Sequence, residues 1–368
     1  MEKNQDIQVL RAIGMLLILV GHMPIALPNF LLHGYSFVSL FFVISGYLMA
    51  KVFNHKYGTS FKSVTVMKKE FVNKFFRLIP LMYIWILIYF IIGTFINNYG
   101  GSYGDMSRWA SELKASVLLI YNYYLAGLSI GGLFGQYWSL FVEIHFYILS
   151  IVLFLVIRNN KARLVVSSVI VLAVIFLLRP LTQANLVRYS THTQLDSCFM
   201  GVIIACLFED KPYLSKFKIS AGMKTAISSI LVVLLFLAPY VFDTYFDNMN
   251  VKYFVYLILA SSLLFLAREN DGWIFGGAVN KAKKLFVALG DASASTYVCH
   301  IILFSGIYSN LYSYTNLIPN SIKTTTWGIC LQVIFLITVA CVVGRMSYEF
   351  IEKPYAKFGK DIVKQIAD

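Results

Sequence analysis

The chain has 368 residues, of which 58% are hydrophobic, 16% aromatic and only 13% charged, with a mean hydropathy of +0.71. A soluble domain carries about 25% charged residues, so this composition excludes an ordinary globular domain and points to a polytopic membrane protein. The formal net charge of +13 invites a nucleic-acid partner, and the placement of the basic residues removes that need.

Ten apolar segments are expected, at about residues 8–25, 34–53, 78–96, 138–157, 164–180, 193–208, 224–242, 251–267, 292–313 and 325–347. Of the 31 Lys and Arg, 25 fall on one side of these spans, and only Arg108, Lys114, Arg179, Arg188, Lys252 and Lys323 on the other. The asymmetry expects both termini in the cytoplasm. The fold class is thus all-α, a multi-pass bundle of about ten helices forming one integral-membrane domain over residues 1–368, in the plasma or inner membrane. A cleavable signal peptide is not expected, because Glu2 and Asp6 spoil a basic leader and Arg11 interrupts the first apolar run. Cys198, Cys206, Cys299, Cys330 and Cys341 are scattered through apolar segments and read as small hydrophobes, implying neither disulfides nor a metal site.

Span 1, IQVLRAIGMLLILVGHMP, carries Arg11 and His22. Eleven residues turn an α-helix through about 1100°, roughly 20° past three whole turns, and rise about 16 Å, so both side chains share a face. Charged and polar groups are costly in hydrocarbon, and that face is expected to line a site. The alternative is that Arg11 snorkels to the headgroups while His22 marks the far boundary. Span 2 returns inward, with Ser39, Ser45 and Gly46 allowing close helix approach. Residues 54–77 are expected as an amphipathic segment in the cytoplasmic interface, from the spacing of Phe61, Val64, Met67, Phe71 and Phe75. Lys74 and Arg77 share a face just before Pro80, which is expected to open span 3. They read as an anchor for anionic lipid or as a seat for phosphates.

Residues 97–137 make the longest outer loop, with glycines at both ends. Its apolar middle, about residues 112–128, is expected as a re-entrant or interfacial helix. Span 4 holds Glu143 and His145. Glu143 lies about one and a half turns below the outer edge at Trp138, and His22 about one turn below the end of span 1, so the two share a depth. A carboxylate there is paired, hydrated or functional. Asp196 opens span 6 near the outer side. At the entrance of span 9, Asp291 and the serines after it read as helix capping. His300, deeper in, reads as an interior histidine or a site residue. Glu352 and Pro354 close the last helix, and no internal repeat or phosphate-binding glycine loop occurs.

Seven of these elements, in this order, resemble the integral-membrane acyltransferase family 3. They are Arg11 with His22; FFVISGYLM from Phe41; KFFRLIPLMY, with Lys74 where an arginine is usual; and WSLFVEIHFY, with Glu143 kept and Ile144 at a second acidic position. Then come QLDSCFMG, with Asp196 and Gly201 kept and Gln194 replacing an arginine; SASTYVCH, with Tyr297 and His300; and YEFIEKP, with Glu352 and Pro354. The resemblance spans the chain. It implies no appended esterase-like domain, since the chain ends about twenty residues after its last span.

The resemblance implies transfer of an acyl group, usually acetyl, from cytoplasmic acyl-coenzyme A to a hydroxyl of a cell-surface or lipid-linked carbohydrate. Arg11, Lys74 and Arg77 are expected to seat the donor's phosphates, and His22 to act as general base with Glu143 orienting the imidazole. Asp196, Tyr297 and His300 are expected to hold the acceptor. Acetyl-coenzyme A, a carbohydrate and membrane lipids are the implied partners, with no metal. The competing class is a transporter or flippase, whose proton coupling would use buried Arg, His and Glu equally well.

Overall fold

The computed structural model describes residues 3–57, 63–128, 131–208, 220–246, 248–269, 280–314 and 318–366, and among these every regular element is helical. Helix α1 (Gln5–Gly21) starts at Asn4, whose side chain accepts from the Ile7 amide at 2.9 Å. The same side chain donates to the carbonyls of Ala267 and Arg268 at 3.0 and 2.9 Å. One residue therefore both caps the helix and ties it to the end of another. Apolar residues on every face of α1, from Ile7 to Leu19, are buried. A helix that is apolar all round belongs inside a bundle. Its buried Asp6 pairs with Lys283 at 3.3 Å, and Lys3 just before it pairs with Asp291.

The other principal helices are α2 (Phe37–Tyr57), α3 (Ser63–Asn98), α6 (Trp138–Val156), α7 (Asn160–Ala173), α8 (Thr191–Phe208), α9 (Ala221–Tyr245), α10 (Met249–Ala267), α11 (Asn280–Asp291), α12 (Ser293–Ile301), α13 (Thr326–Ser347) and α14 (Lys353–Gln365), of which α2, α10, α11, α12 and α13 pack on α1. The loop between α3 and α6 carries α4 (Trp109–Val117) and α5 (Tyr121–Ala126). Among the described residues eight helices are long and apolar enough to cross a membrane, and α11 with α12, bent by 65°, make a ninth. Together with α1 they overlap the ten expected segments. On α7, α9 and α13 large apolar side chains such as Val169, Ile230 and Ile334 point outward, as they must where the surroundings are lipid.

The tightest helix pair is α2 with α8. A Cβ at Gly46 would strike the Cys198 carbonyl, and one at Gly201 would strike the Val43 carbonyl. Two glycines thus let the backbones touch, which is how helices associate when lipid supplies no hydrophobic drive.

Three local expectations change. Pro80 does not open a helix: α3 runs unbroken through it for 36 residues, so residues 63–77 are the first turns of the same helix. A lost N–H inside a packed bundle is tolerated. Phe61 and its neighbours 58–62 lie outside the described residues. Among the described residues Asp291 caps no helix: it ends α11 and is taken by Lys3, and α12 begins at Ser293, after Ala292, without a side-chain cap. Residues 112–128 fall largely in two short helices, α4 and α5, of 9 and 6 residues, where one helix was expected. Leu119 breaks them apart at φ 59°, with the Ile120 amide closing on the Ala115 carbonyl at 2.9 Å, a helix-ending turn that glycine usually supplies.

Candidate active site

Helices α1, α2, α3, α6 and α12, with the turn before α14, enclose a cavity of about 250 Å³. Arg11 enters it from α1. Lys74 and Arg77, three apart on α3, share a face, as do Glu143 and Tyr147, four apart on α6. Glu352 arrives by a different device. Residues Tyr348–Glu352 form a π-helical turn between α13 and α14, and such a turn rotates the residues after it relative to an ideal helix.

The polar groups are knitted across helices. Glu143 Oε1 accepts from Ser45 Oγ at 2.6 Å and from the Tyr147 hydroxyl. Glu352 accepts from Ser295 Oγ at 2.7 Å through Oε2, and its Oε1 lies 3.5 Å from Arg77 Nε. Arg11 Nη1 donates to Gln8 at 3.3 Å, and Lys74 Nζ sits 4.5 Å over the Tyr147 ring. Among the described residues that line this cavity, the cations are Arg11, Lys74 and Arg77 and the carboxylates Glu143 and Glu352. The surplus positive charge favours an anion. We refer to this as the basic end of the bundle.

The other end of α1 is built around histidine. His22 is the residue that ends α1, at φ −113°, and not a residue one turn inside a longer span. Its Nδ1 lies 2.9 Å from the Ile18 carbonyl. A carbonyl only accepts, so Nδ1 carries the proton of the neutral ring and Nε2 keeps a lone pair. His300 is held the same way, with Nδ1 2.7 Å from the Tyr297 carbonyl and Nε2 buried without a partner among the described residues. The two rings meet edge to face with centroids 5.0 Å apart. His22 lines a second cavity, of about 490 Å³, with His33, Tyr35, Arg188, Asp243 and Lys252. The first cavity runs along α1 from Arg11 to Ile18, so it ends about one turn, roughly 6 Å of rise, short of His22 on the second.

The structure brings Arg11, Lys74, Arg77, Glu143 and Tyr297 around the basic cavity and sets His22 beside His300. It does not bring Glu143 to His22. Ser45 and Tyr147 hold that carboxylate on the basic cavity, whereas His22 terminates its helix and faces the other one. Asp196 reaches neither cavity: Arg179 Nη2 holds it at 2.5 Å, with side chains 1% and 0% exposed. His300 lines neither cavity and packs behind His22. The Tyr297 hydroxyl donates to the Gln136 carbonyl at 2.7 Å and lies 2.9 Å from Ser139 Oγ. His145 lines neither of these cavities and is joined to Thr191 at 2.6 Å and to the Leu119 carbonyl at 2.7 Å. Ser45, Tyr147, Glu352 and Arg188 were not picked out as site residues by the sequence. Tyr147 was legible as the residue four after Glu143. No sequence signal marks Arg188.

A family model described as "Acyltransferase domain", that of acyltransferase family 3, matches residues 4–346. A Staphylococcus aureus (strain COL) protein provisionally named an O-acetyltransferase is 25% identical over 377 residues, covering 95% of this chain and 57% of that protein. A Bacillus subtilis (strain 168) protein provisionally named a peptidoglycan O-acetyltransferase, YrhL, is 24% identical over 372 residues, covering 94% and 54%. The O-acetyltransferase OatA of Staphylococcus aureus (strain NCTC 8325 / PS 47) is 23% identical over 389 residues, covering 95% and 57%. The chain therefore spans a little more than half the length of these relatives. No solved structure matches it.

Proposed function

Since the chain belongs to acyltransferase family 3, matched over residues 4–346, we propose that it transfers an acyl group, most simply acetyl, from acyl-coenzyme A to a carbohydrate hydroxyl. The observation that carries the reading is the pair of cavities along α1, one lined by Arg11, Lys74 and Arg77 and one presenting the imidazole Nε2 of His22. Acyl transfer needs those two things, a grip on a polyanionic donor and a base for the acceptor proton.

In this reading the basic end faces the cytoplasm, as the positive-inside asymmetry expects. Arg11, Lys74 and Arg77 hold the donor's phosphates, Glu143 and Glu352 fix the position of those cations, and the pantetheine arm runs along α1. Lys74 supplies a point charge where an arginine would grip with a fork. The acceptor hydroxyl enters the second cavity. His22 Nε2 takes its proton as the hydroxyl oxygen bonds to the thioester carbonyl carbon. The tetrahedral intermediate then collapses, the C–S bond breaks, and the imidazolium returns the proton to the leaving thiolate. Ser139, whose hydroxyl borders the basic cavity, is a candidate to steady the oxyanion, since the Tyr297 hydroxyl is committed to the Gln136 carbonyl. The acceptor class follows the relatives' names, and a surface or lipid-linked carbohydrate fits a cavity rimmed by Tyr35 and Tyr253.

The test is acyl transfer in inside-out membrane vesicles supplied with radiolabelled acetyl-coenzyme A. Label is expected in carbohydrate with the wild type, and about 10²- to 10⁴-fold less with His22→Ala, the range for removing a general base. Equal label with both would place the base elsewhere, and no label with either would turn the reading toward transport.

A further inference from the structure

The loop-end cavity has its own charge problem. Lys252 pairs with Asp243, whose other oxygen accepts from the Tyr35 hydroxyl at 2.6 Å, with His33 Nε2 3.9 Å away. The carboxylate on this cavity is therefore already engaged. Arg188 has no such partner. Its side chain makes no hydrogen bond or ion pair among the described residues, and its Nε is buried and unpartnered. The guanidinium instead lies 4.7 Å over the Tyr35 ring and 5.5 Å over the Tyr189 ring. Lys252 Nζ stands 5.1 Å from the centroid of the same Tyr35 ring. Two cations thus crowd one aromatic ring, with one carboxylate between them.

Arg188 is also held in place. Gln194 Nε2 donates to the carbonyls of Val187 and Arg188 at 2.9 and 3.2 Å, fixing the backbone from which the side chain reaches the cavity. Aromatic faces stabilise a guanidinium without using its N–H donors. An ordered fork of donors beside open space, with no counter-charge, is what a carboxylate or phosphate receives. An unpaired charge out of water is otherwise costly.

We propose that the acceptor carries an anionic group, a carboxylate or a phosphate, which Arg188 receives in the loop-end cavity beside His22. This rests on the acyl-transfer reading for the word acceptor and on the cavity alone for the anion. Arg188 and the stacked tyrosines place the acidic end of the sugar, so that a hydroxyl falls to His22 Nε2.

The experiment is equilibrium binding to the detergent-purified full chain at fixed 0.1 M salt. The three tritiated probes are a neutral glucose tetrasaccharide, the same tetrasaccharide with one glucuronate, and the same with a reducing-end phosphate. The wild type is expected to bind at least one anionic probe tenfold or more tighter than the neutral one, and the stronger arm tells carboxylate from phosphate. Arg188→Gln is expected to abolish the preference, and Arg188→Lys to keep part of it. Should Arg188→Gln not fold, raising the salt with the wild type is expected to weaken the anionic probes selectively. Equal binding of all three probes, binding of none, or a preference that survives Arg188→Gln overturns the inference. So does an equal loss of turnover on every acceptor with binding unchanged, the signature of an oxyanion role. Label transfer without anion preference sinks this inference alone. Anion preference without label transfer in any membrane sinks the enzyme reading and leaves the anion site standing.

Discussion

Among the opposite charges that the described residues place inside the bundle, two sets are built on different plans. Arg179 and Asp196 meet at 2.5 Å with side chains almost fully buried, and the same arginine nitrogen donates to the Thr193 carbonyl at 2.8 Å. The pair balances one for one and borders neither large cavity. At the basic end, Arg11, Lys74 and Arg77 outnumber Glu143 and Glu352, and all five border open volume. Each set has a buried carboxylate, so burial does not by itself assign either a role. What differs is a surplus of one sign beside open volume.

Asp196→Ala tests the sealed pair and should have the largest effect on stability. Removing one partner strands the other as a buried charge, a loss of about 3–5 kcal/mol. Far less folded protein and a lower thermal midpoint in detergent are expected, while the surviving protein keeps its KM for the donor. Joint replacement with Arg179→Met should recover much of that loss, because the stranded charge goes too. A well-folded Asp196→Ala protein that no longer transfers label would break the comparison and return Asp196 to the site.

Arg77→Ala tests the open set and should act on binding. Glu352 keeps its bond from Ser295, so the fold is expected to hold. Loss of a charged hydrogen-bonding partner is worth about 1.5–3 kcal/mol, or roughly a ten- to hundredfold rise in KM for acetyl-coenzyme A. Acetyl-pantetheine, which lacks the nucleotide phosphates, sharpens the point. If Arg77 seats phosphate, the variant and the wild type should use that donor equally. A defect that persists with acetyl-pantetheine would make Arg77 part of the structural wall.

The sequence made the helices readable because lipid imposes long apolar runs, and the eleven-residue step from Arg11 to His22 survives as one face of α1. What it could not disclose depends on partners chosen across the bundle. Asp196 read as a site residue because its counter-ion stands seventeen residues earlier, across a chain reversal. Glu143 was matched to His22 by depth, yet Ser45 on α2 and Tyr147 one turn on take its carboxylate. Ser45 itself looked like a small packing residue. Glu352 reaches the cavity after a π turn, which no hydrophobic period announces. Arg188 is conspicuous only once Asp243 is seen to belong to Lys252.

The smallest expected effect concerns Glu112, another buried carboxyl group and a useful control because it lies outside the bundle helices. It accepts from the Tyr121 hydroxyl and the Leu133 amide, both at 2.9 Å, and so closes the loop that carries α4 and α5. Burial raises its carboxyl pKa above the usual range, against the lowering effect of those two bonds and of Arg108. A carboxyl whose pKa is raised by folding binds its proton more tightly in the folded loop. Its contribution is therefore complete below the unfolded pKa and is lost as pH rises through the folded one. Protection of the loop amides from hydrogen exchange should then increase as pH falls across that window, after correction for intrinsic exchange. Glu112→Gln, which keeps the accepting oxygen and cannot titrate, should flatten the dependence and change loop stability at neutral pH by under about 1 kcal/mol. If the wild-type loop instead loosens as pH falls, Glu112 acts as a charged partner of Arg108, and the loop follows the plan of the Arg179–Asp196 pair.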